Sequence, residues 1–266
     1  MKETITSKDN KYIKLVRSLD KKKCRAKEQL FLVEGTRNCH EAVISDTHIP
    51  FILVKESKYN NPEIKKIIKE VNEKNTSVMR VEDRIFDSAA NTEESQGIMA
   101  VASMQMFSEV DFASCIQGKH IAVIDGLQDP GNVGTILRTA WAAGLGGIIS
   151  VNNSADIYNP KVVRSAMGAV YHLPVIRMEN AAAVNFITKQ NYRLAVADAR
   201  GENYKNLNAG NQKIAWLLGS EGDGVSEFWQ NRANLTVSIP MAPNVESLNV
   251  AVAAGILFFS QTDFAN

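Results

Sequence analysis

Little in this chain could hold it together covalently or through a metal. Its 266 residues include three cysteines, Cys24, Cys39 and Cys115, widely spaced and without a CxxC pair. A disulfide framework is therefore excluded as the organising device. His40, His48, His120 and His172 have no metal-ligand spacing with those cysteines, so no metal site is expected. Glycine and proline are scarce, at 16 and 7 residues, and 45% of the chain is hydrophobic, the balance of a globular protein. Long apolar runs are also missing. The final one, Val250 to Phe259, is about ten residues, whereas a membrane span needs roughly twenty. The opening stretch MKETITSKDNKYIK has no apolar core of the secretory kind. A soluble, cytoplasmic protein is expected.

Net charge is nearly absent, at +1. That by itself argues against a nucleic-acid partner, but the distribution is uneven and tells more. Between Met1 and Lys27 basic residues crowd together against only Glu3, Asp9 and Asp20. Lys14, Arg17, Lys21 and Arg25 recur at helical spacing, opposite Tyr12, Val16 and Leu19. A solvated helix face is the plain explanation. A phosphate-binding arm of Lys14, Arg17, Lys21, Lys22, Lys23 and Arg25 is the functional one.

Apolar patterning divides the rest. LFLVEG, FILVKES, SVMRVED and GIMAVASM read as strands; a helix around Cys39, Ala42 and Val43 and another carrying Ile64, Ile67, Ile68 and Val71 lie among them. This predicts a small α/β domain over 1–104, then a linker over 105–118. The alternation restarts over 119–266, with strands HIAVIDGL, GGIISVN, LPVIRM, YRLAVAD, KIAWLLG and LTVSIPM. Helices are predicted over 132–143, 160–171, 181–190, 226–231 and 247–261. The strands are continuous apolar runs, the pattern of a mainly parallel sheet covered on both faces.

Ligands of such sheets bind beyond the carboxyl ends of the strands, and three stretches there are unusual. In DGLQDPGNVGTILRTA, Asn132 suits a helix cap. Val133, Ile136, Leu137, Ala140 and Trp141 form a buried stripe, and Gly134 opens space beside Arg138. In LLGSEGDGVS, three glycines surround Glu221 in a G-x-x-G-x-G spacing that is neither a Walker A loop nor GxGxxG. In PMAPNVESLNVAVAAGILFF, Asn244, Glu246, Ser247 and Asn249 precede the apolar run, and a cap at Ser247 or Asn244 accounts for one of the four.

Together these stretches resemble the three motifs, in order, of the SpoU (TrmH-type) family of SPOUT-class RNA 2′-O-methyltransferases. NPKVVRSAMGAVYHLPV resembles a further shared stretch, and the likeness covers nearly all of 119–261. SKDNKYIKLVRSL and FLVEGTRNCHEAV resemble the L30e-like substrate-binding domain of the large-subunit rRNA subgroup. The resemblance implies a deep trefoil knot in the C-terminal domain, S-adenosylmethionine as cofactor and a homodimer with active sites at the subunit interface. It implies Arg138, Asn132, Glu221, Ser247 and Asn249 as catalytic, and Gly219, Ile239 and Leu248 as cofactor-binding. The reaction implied is methyl transfer to a ribose 2′-hydroxyl, in large-subunit (23S) rRNA, with tRNA the alternative and an antibiotic-resistance modification a variant. Guanidinium stays protonated in ordinary settings, so Arg138 is read as a phosphate clamp that stabilises developing alkoxide charge. A role as general base requires the site to perturb it severely. A dinucleotide-dependent oxidoreductase is opposed by the missing GxGxxG, and a non-catalytic RNA-binding protein by the intact set of Arg138, Glu221 and Asn249.

Overall fold

The structure, a computed structural model, describes residues 4–45, 47–72, 76–92, 95–207, 210, 212–220, 222 and 224–261. The chain forms two compact units, Met1–Gln105 with Asp156–Tyr171, and Met106–Ala155 with His172–Asn266.

In the first unit α1 (Lys11–Ser18) begins where the Asn10 side chain accepts a hydrogen bond from the Tyr12 N–H at 3.0 Å. Its inward face carries Ile13 and Val16, continued by Leu19. A short break follows, and α2 (Lys22–Glu28) ends at Gln29, whose φ of 55° stops the helix. Then come β1 (Leu30–Glu34), α3 (Thr36–Ile44), β2 (Phe51–Lys55), α4 (Pro62–Asn72), β3 (Ser77–Val81), α5 (Asp83–Asp87) and β4 (Ile98–Ser103). The sheet order is β1-β4-β2-β3, antiparallel at its first two pairings and parallel at β2–β3. Ile64, Ile67 and Val71 of α4 are buried, as helical spacing requires.

The chain continues through α6 (Glu109–Cys115), β5 (Ile121–Asp125), α7 (Pro130–Ala142), β6 (Gly147–Val151), α8 (Pro160–Ala166) and α9 (Ala169–His172). It ends with β7 (Val175–Arg177), α10 (Asn180–Lys189), β8 (Tyr192–Asn203), β9 (Lys213–Leu218), α11 (Glu227–Gln230), β10 (Leu235–Ser238) and α12 (Val250–Phe259). The second unit's sheet runs β10-β8-β9-β5-β6-β7, and each of these pairings is parallel. Every residue of β5 and β6 is buried, which is why those strands read as unbroken apolar runs. The α/β class and the parallel sheet follow from that pattern as expected.

Two elements differ from the sequence reading. Residues 105–118, expected as a linker with room for one short helical turn, contain the seven-residue α6, started by a capping box between Ser108 and Asp111. Its Phe112 is fully buried in the second unit's core. The helix expected over 160–171 is instead α8 and α9, separated by Met167 at φ 49° and Gly168 at φ 97°. A Cβ on Gly168 would meet the Glu41 side chain at 2.9 Å, so the break is fitted to a glycine.

Candidate active site

Two helix beginnings, the middle of β8 and the end of β9 build the site. Helix α7 starts with Asp129 as its cap, whose Oδ1 accepts from the Asn132 N–H at 2.7 Å, and with Pro130 in the first turn. The cap expected at Asn132 therefore falls three residues earlier, and the Asn132 side chain is left for other work. Helix α12 is capped by Asn249, not by Ser247 or Asn244. Its Oδ1 accepts from the N–H groups of Ala251 at 3.0 Å and Val252 at 3.3 Å. Those two donors fix the amide orientation. The Asn249 Nδ2 then donates to Asn132 Oδ1 at 3.0 Å, across 117 residues of sequence. One asparagine thus starts a helix and ties it to the head of another.

Arg138 is exposed on α7, and among the described residues no carboxylate pairs with it. Ile136, Leu137 and Ala140 of the same helix are buried, as expected. Gly134, expected to open space beside Arg138, is itself buried with them. Trp141 leaves the expected buried stripe: it is 39% exposed and stacks on His172, ring centroids 4.6 Å apart and planes within 9°.

Beside the middle of β8, at Ala197 to Ala199, and beyond the end of β9 lies a cavity of about 510 Å³. Leu218, Val237, Met241 and Leu257 are among its apolar lining; Gly219, Ile239, Ser247, Leu248 and Asn249, all singled out from sequence, line it too. The loop after β9 closes by reciprocal backbone hydrogen bonds, Ser220 N to Gly224 O at 2.9 Å and Gly224 N to Ser220 O at 3.0 Å. A Cβ on Gly219 would fall 2.2 Å from the Gly224 carbonyl carbon, so this turn admits no side chain there. Glu221, expected among the catalytic residues, lies outside the described residues.

Two aspartates, Asp125 at the end of β5 and Asp198 within β8, escaped the sequence reading. Asp198 lines the cavity and is gripped by Arg200, whose Nε donates to Oδ1 at 2.9 Å and Nη2 to Oδ2 at 2.8 Å. Those hydrogen bonds hold its carboxyl down at about 2. Asp125, nearly buried at the end of β5, accepts from Asn152 and, at 2.9 Å, from the Ser226 N–H. It thereby ties the loops after β5, β6 and β9. The available signal was that HIAVID and YRLAVAD are both apolar runs ending in aspartate.

In the first unit the basic residues divide. Lys21, Lys22 and Lys23 are exposed. Lys14 pairs with Asp9 at 2.8 Å, and Arg17 donates to the Ser88 hydroxyl at 2.7 Å. Arg25 corrects the expectation of an RNA-facing side chain, because it is 2% exposed. Its guanidinium meets Asp156 at 2.6 Å and donates to the carbonyls of Leu19 and Asp20. The break between α1 and α2 turns the second helix, so a spacing that looked like one face is two.

Among the described residues no cluster of three or more His, Cys, Asp or Glu could hold a metal ion, and no helix is long and apolar enough to cross a membrane.

A parallel sheet with a cavity lined by a glycine loop and the head of α12 fits the α/β RNA methyltransferases, the class that comparison with known proteins shows. Residues 119–259 match the model of the SpoU rRNA Methylase family, and the chain belongs to that family. Residues 10–100 match the model described as an MRM3-like substrate binding domain. The chain is 33% identical, over 96% of its own length and 97% of the relative's, to the 23S rRNA (guanosine(2553)-2′-O)-methyltransferase RlmP of Bacillus subtilis. Its fold is similar to that of the rRNA methyltransferase from Sinorhizobium meliloti, with TM-score 0.86, 25% identity and coverage of 97% and 96% of the two chains. It is likewise similar to the SpoU methyltransferase AviRb from Streptomyces viridochromogenes, solved in complex with the cofactor AdoMet. There the TM-score is 0.85 and the identity 25%, over 94% of this chain and 96% of that one.

Proposed function

We propose that this protein transfers a methyl group from S-adenosylmethionine to a ribose 2′-hydroxyl of large-subunit (23S) rRNA. The names of the Bacillus relative and of the AdoMet-bound AviRb structure support the reaction and the cofactor. The observation that carries the reading is the Asn249–Asn132 hydrogen bond. It couples a residue lining the cavity to the helix that presents Arg138.

The cavity fits the cofactor. Its volume lies within the roughly 300–1,000 Å³ of small-molecule sites, with an apolar lining and a few polar groups. Backbone around Gly219, Ile239 and Leu248 would hold the cofactor, whose bound form supplies an electrophilic methyl group on a sulfonium sulfur. Arg138 clamps the phosphate beside the target ribose and stabilises negative charge on the 2′-oxygen as its proton passes to solvent water; the oxygen–methyl bond would form as the sulfur–methyl bond breaks and the thioether departs. Asn132 and Asn249 fix α7 against the cavity and Ser247 orients the ribose; Glu221, outside the described residues, is kept among the catalytic residues on the family resemblance alone. Lys14, Arg17, Lys21, Lys22 and Lys23 supply RNA affinity from a substrate-binding domain over 1–104, with 119–266 as a knotted catalytic domain. Two copies pair through the exposed apolar residues of α7 and α12, Trp141, Val252 and Phe259.

The test is transfer of labelled methyl from S-adenosylmethionine to 23S rRNA and to tRNA by the purified protein. Label in 23S rRNA is expected; label confined to tRNA would overturn the substrate assignment.

A further inference from the structure

Glu246 is the residue of the PMAPNVESLNV stretch that the reading above leaves without a role. The stretch turns at Asn244, which holds φ at 70°, a conformation asparagine tolerates better than most side chains. After that turn Glu246 to Val250 all line the 510 Å³ cavity. Among the described lining residues the ionisable side chains are Glu246 and Asp198, and no lysine, arginine or histidine is present. The two acids differ in what opposes them. Asp198 is matched by the bidentate Arg200 guanidinium, so that pair presents little net charge. Among the described residues no cation pairs with Glu246.

We propose that Glu246 gives this cavity its preference for a cationic methyl donor over the neutral product. The inference rests on the S-adenosylmethionine reading. That cofactor carries a positive sulfonium, and loss of its methyl group leaves an uncharged thioether. A carboxylate in the wall attracts the sulfonium and not the thioether, while the α-ammonium and α-carboxylate are common to both compounds and drop out of the comparison. The attraction reaches across several ångströms of partly solvated cavity and weakens as salt shortens the screening length. The same side chain therefore favours release of the spent cofactor once the methyl group has gone.

The test is calorimetric binding of S-adenosylmethionine and of S-adenosylhomocysteine to the full chain, its Glu246→Gln variant and its Glu246→Asp variant. Glu246→Gln is expected to weaken the methyl donor by roughly fivefold and leave the thioether within twofold, with the gap narrowing at high salt. Glu246→Asp keeps the charge and is expected to keep the preference. Equal changes in both ligands, or no change in either, would overturn the proposal while leaving the cofactor reading intact. Failure of the unaltered protein to bind either compound would overturn both.

Discussion

Asn249 does two things that can be separated. Its carbonyl oxygen caps α12, and its amide nitrogen reaches Asn132. Serine at this position retains the cap but is too short to keep the bridge. Asn249→Ser is therefore expected to unfold within about 2 °C of the parent and to lose tenfold or more in methyl transfer, whereas Asn249→Ala loses about 1 kcal/mol of stability as well. Thermal melts beside single-turnover rates check this; full activity in Asn249→Ser would remove the bridge from the account. Sequence marked the residue but not this double use. Four polar side chains stand within six positions there, and which one caps depends on where the chain turns. Asn244 at φ 70° sets that turn, so the helix starts at Val250 rather than at Ser247. Arg138 was legible as an outward residue because Ile136, Leu137 and Ala140 define the inward face. Trp141, by apolarity alone, was wrongly placed with them.

At the scale of elements, α1 and α2 show how a helical spacing misleads. Arg25 follows Lys21 by four residues, yet the break after Ser18 and the fresh start at Lys22 rotate it inward to Asp156. Periodicity assumes one continuous helix, and nothing local announces the break. The two kinds of basic residue now part in experiment. Arg25→Ala leaves Asp156 without its cation and is expected to cost about 3–5 kcal/mol of stability in denaturant melts. Replacing Lys21, Lys22 and Lys23 by alanine is expected to leave the melt unchanged, weaken RNA binding and flatten its salt dependence, by up to about 3 in the log–log slope. An unchanged slope would make those lysines a solvated face only. The strands were the most legible elements, since β5, β6 and β9 are covered on both sides and leave no polar alternation to misread.

For the whole molecule, the sequence pattern says which face of a helix is buried and not what buries it. That is why α8 reads correctly as a helix while the grouping of Asp156–Tyr171 with the first unit does not show. The same limit applies to α12, apolar nearly all round, with Leu257 and Phe258 buried and Val252 54% exposed. A second copy covering that exposed side is the arrangement proposed. Val252→Glu is expected to shift sedimentation from dimer to monomer with the secondary structure intact; a parent protein that sediments as a monomer would contradict the pairing. Above all stands the proposed chemistry, methyl transfer to a 2′-oxygen with Arg138 as the proposed clamp. A methylated 2′-oxygen can no longer attack its phosphodiester, so the product survives alkali. The decisive measurement is alkaline hydrolysis of 23S rRNA labelled by the protein from S-adenosylmethionine. Label in an alkali-stable dinucleotide, reduced a hundredfold or more by Arg138→Ala, is the result expected. Label on an alkali-labile, base-methylated nucleotide, or label undiminished in Arg138→Ala, would contradict it.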